Sequence, residues 1–242
     1  MGDQYITDIV AKEDGNYYIT GWNNFRLYGG GTKKDMFYAE TDCFGGFVNT
    51  LTWSRMGAGD TGNMGSEDDP YSAILNISVI KDNPLGDLAE DEAGWGIVES
   101  QGGFGGSVVM AGETYQTDSK ARLKDGWIVE FSVNADEDGA LWEYSFGNTG
   151  KNDQAYGIGK TKDGGYIVTG YTTGADQNTW VYKLDSKLAL LWSKDLGVTG
   201  ADTGVKVLQT SDGGFIVGAN VGTGASARAK LMKVNKTGDL AK

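Results

Sequence analysis

Short runs in which apolar and polar residues alternate recur along the whole chain, and turns rich in glycine, aspartate and asparagine separate them. Runs of this period that are enriched in β-branched and aromatic residues predict β-strands. Between residues 156 and 195 the pattern predicts four strands, at 156–161, 166–170, 180–184 and 190–195. The sequence therefore predicts an all-β protein.

The strand pattern belongs to an internal repeat. The segment TKDGGYIVTGYT begins at Thr161 and returns 49 residues later as TSDGGFIVGANV, and two degraded copies precede it. Tandem four-stranded units of this length predict a β-propeller, because one such blade cannot bury its faces alone. We predict a single β-propeller domain or a propeller fragment with antiparallel blades at about 4–59, 93–150, 152–199 and 201–242. The fourth copy ends where its outer strand would begin, so the last blade is predicted to be incomplete.

Two features of the repeat have structural explanations. The Asp163-Gly164-Gly165 segment suits a tight hairpin, in which glycine supplies the positive φ. Tryptophans recur in equivalent strands of successive copies, which favours core packing over ligand binding. They lie at the start of the third strand (Trp127 and Trp180) and within the fourth strand (Trp53, Trp142 and Trp192).

Composition narrows the classes of function. The 242 residues contain no histidine, which excludes histidine-based nucleophilic triads, and Cys43 is the single cysteine, which excludes an intrachain disulfide. The formal net charge of −12 disfavours nucleic acids and anionic membrane surfaces as partners. No apolar run reaches the ~20 residues of a membrane span, and the first residues lack the pattern of a signal peptide.

An acidic insertion, residues 60–92, separates the first copy from the second. It holds nine acidic residues, one lysine and both prolines of the chain. Its centre, residues 73–80, is apolar enough to form an extra strand or a packed arm. A solvated loop and a partner-binding or metal-binding insertion are both open interpretations.

The irregular loops are predicted to share one face of the molecule. In an up-and-down blade, the loops between second and third strands lie on the same face as the connections between blades, which include the insertion. The candidate ligand-binding residues on these loops are Trp22, Asn24, Phe25, Arg26, Tyr28, Tyr115 and Arg122. Aromatic rings and hydrogen-bonding groups of this kind suit a carbohydrate or a protein surface. The alternative is that these loops are merely long and divergent.

One short segment has the spacing of a calcium loop. Residues 134–139, NADEDG, place oxygen ligands at alternate positions before a glycine, with Asp136 and Asp138 as candidate metal ligands. The segment lacks the terminal bidentate glutamate and occupies an ordinary predicted turn between strands. Calcium is therefore a candidate, and no other cofactor is indicated.

The repeat pattern resembles a known class of repeats. Its elements are T-x-D-G-G-(Y/F)-I-V-x-G, then W-V-x-K-L-D, then L-x-W-x-K-x-L-G, and they resemble the repeats of bacterial secreted and cell-surface β-propeller proteins. The resemblance implies a propeller fold and an extracellular or cell-surface location. The first two copies depart from the pattern, because Glu40 and Glu130 stand where Lys183 does and Gln101 replaces the turn aspartate.

Together these features predict a non-enzymatic extracellular or cell-surface binding or assembly module that works through the face carrying the acidic insertion, and whose partner is a protein or a carbohydrate. A carboxylate-based polysaccharide-active enzyme, with paired acids ~5–10 Å apart, is one alternative, and a quinone-type propeller oxidoreductase is another. A third is a structural subunit that self-associates, or that accepts a partner's strand at the open edge of the last blade.

Overall fold

The computed structural model describes residues 4–23, 34–53, 77–79, 93–101, 107–115, 123–132, 140–148, 150–174, 176–197 and 200–241. These residues form sixteen strands and one short 3-10 helix, Gly224–Ser226. In the described part of the chain, no helix has the length and apolar character that crossing a membrane requires. The all-β prediction is confirmed.

The strands form four sheets that follow one another along the chain, and within each sheet the strands are in sequence order. The first sheet contains β1 (Gln4–Ala11), β2 (Tyr17–Asn23), β3 (Asp35–Thr41), β4 (Phe47–Trp53) and β5 (Ile77–Val79). The second contains β6 (Ala93–Glu99), β7 (Ser107–Tyr115), β8 (Lys124–Ser132) and β9 (Ala140–Phe146). The third contains β10 (Asp153–Lys160), β11 (Tyr166–Thr173), β12 (Gln177–Leu184) and β13 (Leu190–Asp195). The fourth contains β14 (Asp202–Gln209), β15 (Phe215–Val221) and β16 (Arg228–Val234).

The outermost strands distinguish the first and last sheets. Strand β5, from the centre of the acidic insertion, extends the first sheet by pairing in parallel with β4, whereas the other strand pairs are antiparallel. The rest of the insertion lies outside the described residues. The fourth sheet has three strands, and an isolated bridge between Val234 and Leu240 follows β16. We refer to the first two strands of each sheet as its inner strand and its second strand.

Every inner strand carries the same irregularity. The register between inner and second strands shifts once in each sheet, between Ile6 and Asp8, Gly94 and Gly96, Ala155 and Gly157, and Gly204 and Lys206. A shift of this kind is a β-bulge, which bends the strand and redirects the extra side chain. The extra residues are Thr7, Trp95, Tyr156 and Val205. The repeat therefore encodes a bulge as well as strands and turns.

The core lies between consecutive sheets. Tyr38 and Met36 of the first sheet pack with Ile97 and Trp127 of the second in one buried cluster. Equivalent clusters join the second sheet to the third and the third to the fourth. Each internal sheet thus buries both of its faces against its neighbours, as blades of a repeat structure do.

The predicted structural roles of the turns and tryptophans are confirmed where the structure describes them. Gly164 and Gly213 adopt φ values of 85° and 82° in the hairpins between inner and second strands. Trp127 and Trp180 are buried, and Trp192 is partly buried against the cluster between the third and fourth sheets. The side chains of Trp53 and Trp142 lie outside the described residues.

Candidate functional site

The strand directions define two faces of the molecule. One of them is the end of the sheets at which each inner strand begins and each second strand ends, and we call this end the loop face. At this end the register pairs Tyr5 with Trp22, Ala93 with Glu113, and Gln154 with Tyr171. Trp22, Glu113 and Tyr171 therefore occupy the same level on three successive sheets.

Three aromatic rings from two sheets meet near the loop face, and we call them the inner aromatic cluster (Trp95, Tyr156 and Tyr171). The centroids of the Trp95 and Tyr156 rings lie 5.1 Å apart, and the Tyr156 and Tyr171 rings are stacked with centroids 5.9 Å apart. Trp95 and Tyr156 are the bulge residues of β6 and β10, so the bulge directs them out of the regular alternation. All three rings are partly exposed, which leaves surface for a ligand.

An ion pair with a buried carboxylate supports the cluster. Glu113 is buried, and one of its carboxylate oxygens forms an ion pair with the Lys124 ammonium. Its other carboxylate oxygen accepts a hydrogen bond of 3.3 Å from the indole N–H of Trp95. The backbone N–H of Lys124 donates to the Asn152 side-chain oxygen at 3.0 Å, which links this arrangement to the third sheet. Glu113 thereby fixes the orientation of the Trp95 ring.

The tyrosine hydroxyls of the cluster remain neutral over a wide pH range. Burial and the Glu113 and Asp153 charges raise the pKa of Tyr171 to about 12. Burial, the Glu113 charge and Tyr171 raise the pKa of Tyr156 above its usual range. The Tyr156 hydroxyl donates a 2.8 Å hydrogen bond to the side-chain carbonyl oxygen of Gln154. The site thus combines ring faces with neutral hydroxyl and amide groups.

Among the ligand-binding residues predicted from sequence, Trp22 has a described side chain. Its ring stacks on Tyr5 with centroids 4.2 Å apart, and the Lys34 ammonium lies 4.3 Å from the centroid of the indole. Tyr115 ends β7, but its side chain lies outside the described residues. The remaining predicted residues, Asn24, Phe25, Arg26, Tyr28 and Arg122, also lie outside the described residues.

The predicted calcium ligands Asp136 and Asp138 lie outside the described residues as well. Within the described ranges, no group of three or more acidic or cysteine side chains is arranged to hold a metal ion. Calcium binding at these two aspartates stays a prediction.

Sequence reasoning placed the candidate site in the loops and missed the inner aromatic cluster inside the strands. An aromatic residue directly before a glycine in the inner strand, at Trp95-Gly96 and Tyr156-Gly157, was the available signal. In a regular strand each ring and the glycine after it would point to opposite faces of the sheet. The ring would then be assigned to the core between sheets. The bulge breaks that alternation.

No family model matches the chain, and no curated protein matches it in sequence. Solved structures to which it is similar include a protein of unknown function from Bacteroides caccae, with 9% identity, a TM-score of 0.47, and coverage of 92% of this chain and 56% of that one. For a GH43 endo-arabinanase from Bacillus licheniformis the identity is 11%, the TM-score 0.44, and the coverage 96% and 74%. The tail fibre of Staphylococcus aureus phage P68 has 8% identity and a TM-score of 0.30, with coverage of 94% of this chain and 49% of that one. The chain thus spans little more than half of the Bacteroides caccae protein, and similarities at these levels do not distinguish one function from another.

Proposed function

We propose that the chain is a propeller-type repeat module that binds carbohydrate at its loop face, through the inner aromatic cluster. The observation that carries the proposal is a set of three partly exposed rings from two neighbouring sheets, in which the Trp95 indole donates to the buried Glu113 carboxylate. The resemblance of the repeats to those of bacterial secreted and cell-surface proteins supports an extracellular setting for this binding.

The chemistry of the cluster suits a sugar. The apolar face of a pyranose or furanose ring packs on aromatic rings, while its hydroxyls exchange hydrogen bonds with neutral polar groups. Trp95 offers the largest ring, and Glu113 fixes its orientation before a ligand arrives. Pre-organisation of this kind raises affinity, because less side-chain freedom is lost on binding.

The carboxylates beside the cluster are held by protein donors. Both oxygens of Glu113 are engaged, by Lys124 and by Trp95. Asp153 is buried, and one of its oxygens accepts a 2.8 Å hydrogen bond from the backbone N–H of Asn148. A glycosidase requires a carboxyl group that reaches the substrate, and the engagement of both Glu113 oxygens favours binding over hydrolysis at this residue.

Truncation of the largest ring of the cluster tests the proposal. In a screen of immobilised oligosaccharides, we expect the wild-type protein to retain a defined set of glycans and Trp95→Ala to lose them. Removing an aromatic binding hot spot costs about 2 kcal/mol, which corresponds to a roughly 30-fold weaker Kd. Calorimetric titration with a retained oligosaccharide measures this change.

Phe44→Ala is the matched control. Phe44 is an almost fully exposed aromatic residue in the turn between β3 and β4, at the end of the first sheet that lies opposite the loop face. We expect its loss to leave the Kd unchanged, and Trp95→Phe, which keeps a ring but loses the indole N–H, to fall between wild type and Trp95→Ala. Retention of no oligosaccharide by the folded wild-type protein, or equal binding by Trp95→Ala, would contradict the proposal.

A further inference from the structure

A second group of aromatic rings lies near the loop face, on the first sheet, and we call it the first-sheet aromatic pair (Tyr5 and Trp22). The two residues are directly paired on β1 and β2, and their rings are stacked with centroids 4.2 Å apart. Tyr5 is 51% exposed, and Trp22 is partly exposed. Stacking on Trp22 covers one face of the Tyr5 ring and leaves the other face open to a ligand.

The pair lies on the side of the first sheet that packs against the second sheet. Trp22 is paired with Met36 of β3, and directly paired residues share one side of a sheet. Met36 is buried in the same cluster as Trp127 of the second sheet. Tyr5 and Trp22 therefore point toward the sheet that carries Trp95.

Glycines bring these two sheets close together beside the aromatic residues. Gly21 precedes Trp22 and Gly94 precedes Trp95, and a Cβ on Gly94 would lie 3.3 Å from the Gly21 carbonyl oxygen. The Thr7 hydroxyl of the first sheet donates a 2.6 Å hydrogen bond to the Gly94 carbonyl oxygen. Since consecutive Cα atoms are about 3.8 Å apart, the Cα atoms of Trp22 and Trp95 lie within roughly 12 Å of each other. A short oligosaccharide spans such a distance.

The repeat itself does not require an aromatic pair at this level. In the described strands of the other sheets, the equivalent pairs of positions hold at most one ring. These pairs are Ala93 with Glu113, Gln154 with Tyr171, and Thr203 with Asn220. The stacked pair is thus a feature of the first sheet alone among these strands, and the Lys34 ammonium, 4.3 Å from the centroid of the Trp22 indole, helps to hold it in place.

We propose that the first-sheet aromatic pair is a second sugar-binding subsite, and that the ligand of the loop face is a chain of sugar units that reaches from Tyr5 to the inner aromatic cluster. This inference rests on the proposed binding of carbohydrate at that cluster. One sugar ring packs on Tyr5 and another on Trp95, through the apolar face of each sugar. The two contacts reinforce each other, because the second forms within a complex that already exists. The ligand class is therefore an oligosaccharide or polysaccharide chain and not a single sugar.

Chain length tests the second subsite. The probes are members of the oligosaccharide series that the immobilised screen retains, from a single sugar to about six units, and calorimetric titration gives each Kd. For the wild type, we expect the Kd to fall about tenfold once the chain is long enough to contact both aromatic groups. Tyr5→Ala is expected to lose this gain, so that its Kd rises about tenfold for the long members and stays unchanged for the shortest member bound. Trp95→Ala, in contrast, is expected to weaken binding at every length.

Ile6→Ala is the matched control, because Ile6 is the exposed neighbour of Tyr5 on β1 and points to the opposite side of the sheet. It is expected to bind every member of the series like the wild type. Tyr5→Phe, which keeps the ring, is expected to do the same. Circular dichroism and thermal unfolding verify that the variants remain folded.

The outcomes separate the second subsite from the proposed function. Binding by Tyr5→Ala that equals the wild type at every length, or that is weakened equally at every length, would overturn the subsite. A wild-type Kd that does not depend on chain length would also overturn it. In each of these cases a loss of binding in Trp95→Ala would still support the inner aromatic cluster as a sugar site. Retention of no oligosaccharide by the wild type would overturn the proposed function, and the subsite with it.

Discussion

At the scale of single residues, one position on the third strand shows how the repeats diverge. Lys183 is paired with the turn aspartate Asp163, with 3.0 Å between nitrogen and oxygen, and Lys233 is paired with Asp212 at 2.8 Å. In the first sheet the charges are exchanged, because Glu40 at this position forms an ion pair with Lys12. The departures from the repeat pattern thus preserve a contact between the third strand and the turn.

Glu130 occupies the same position in the second sheet, where its described partner is the Ser100 hydroxyl. Burial raises the pKa of Glu130, and the Ser100 hydrogen bond opposes that rise only in part. A carboxyl group whose pKa is higher in the folded than in the unfolded protein reduces stability at pH values above its unfolded pKa. For glutamate that unfolded pKa is about 4.3. The ionised form of Glu130 therefore destabilises the fold at neutral pH.

We expect Glu130→Gln to raise the free energy of unfolding at pH 7, because a neutral amide fills the same volume without a buried charge. Below about pH 4, where glutamate is protonated in both states, the gain should vanish. Denaturant unfolding at pH 7 and below about pH 4 measures the change in the free energy of unfolding. Glu40→Gln, which removes the carboxylate partner of Lys12, should instead destabilise the protein at pH 7. Loss of stability in Glu130→Gln at pH 7 but not below about pH 4 would show that the buried charge is well compensated.

At the scale of elements, the hairpin turns depend on the backbone freedom of glycine. Gly164 adopts a φ of 85°, and its amide donates to the Thr161 carbonyl at 3.0 Å. A Cβ at Gly164 would meet nothing within 4 Å. The cost of a side chain there is therefore conformational and not steric.

Gly164→Ala is expected to lower the free energy of unfolding by about 1–2 kcal/mol, the cost of the left-handed region for an L-residue. Gly164→Asn should cost less, because asparagine tolerates that region. Gly218→Ala is the control, since Gly218 lies within β15, where its φ is not positive and a Cβ would have 3.8 Å of clearance. Chemical denaturation ranks the three variants. An equal loss in Gly164→Asn and Gly164→Ala would argue for a steric cause.

The strands could be predicted from the sequence because period-2 runs and their repetition are local signals. The predicted strand 156–161 is observed as Asp153–Lys160, and 190–195 as Leu190–Asp195. The parallel pairing of β5 could not be predicted, because the direction of pairing depends on the distant strand β4. The inner aromatic cluster was missed for a similar reason. Its rings come from two sheets and meet only after a bulge and a sheet contact have formed.

At the scale of the whole molecule, sequence and structure agree on a chain of sheets in which each sheet packs against its sequence neighbours. Such a chain has two different ends, and the exposed residues Ile9 and Leu231 mark them. The loop face is a separate surface, built from bulge residues of β6 and β10 and from the end of β11.

The central claim is that carbohydrate binds at the loop face, and hydrogen–deuterium exchange with and without a retained oligosaccharide locates the binding site directly. The account predicts slower amide exchange in the segments around Trp95, Tyr156 and Tyr171, with no change in the turn at residues 162–165. Protection confined to that turn, or protection that avoids all three ring-bearing segments, would contradict it.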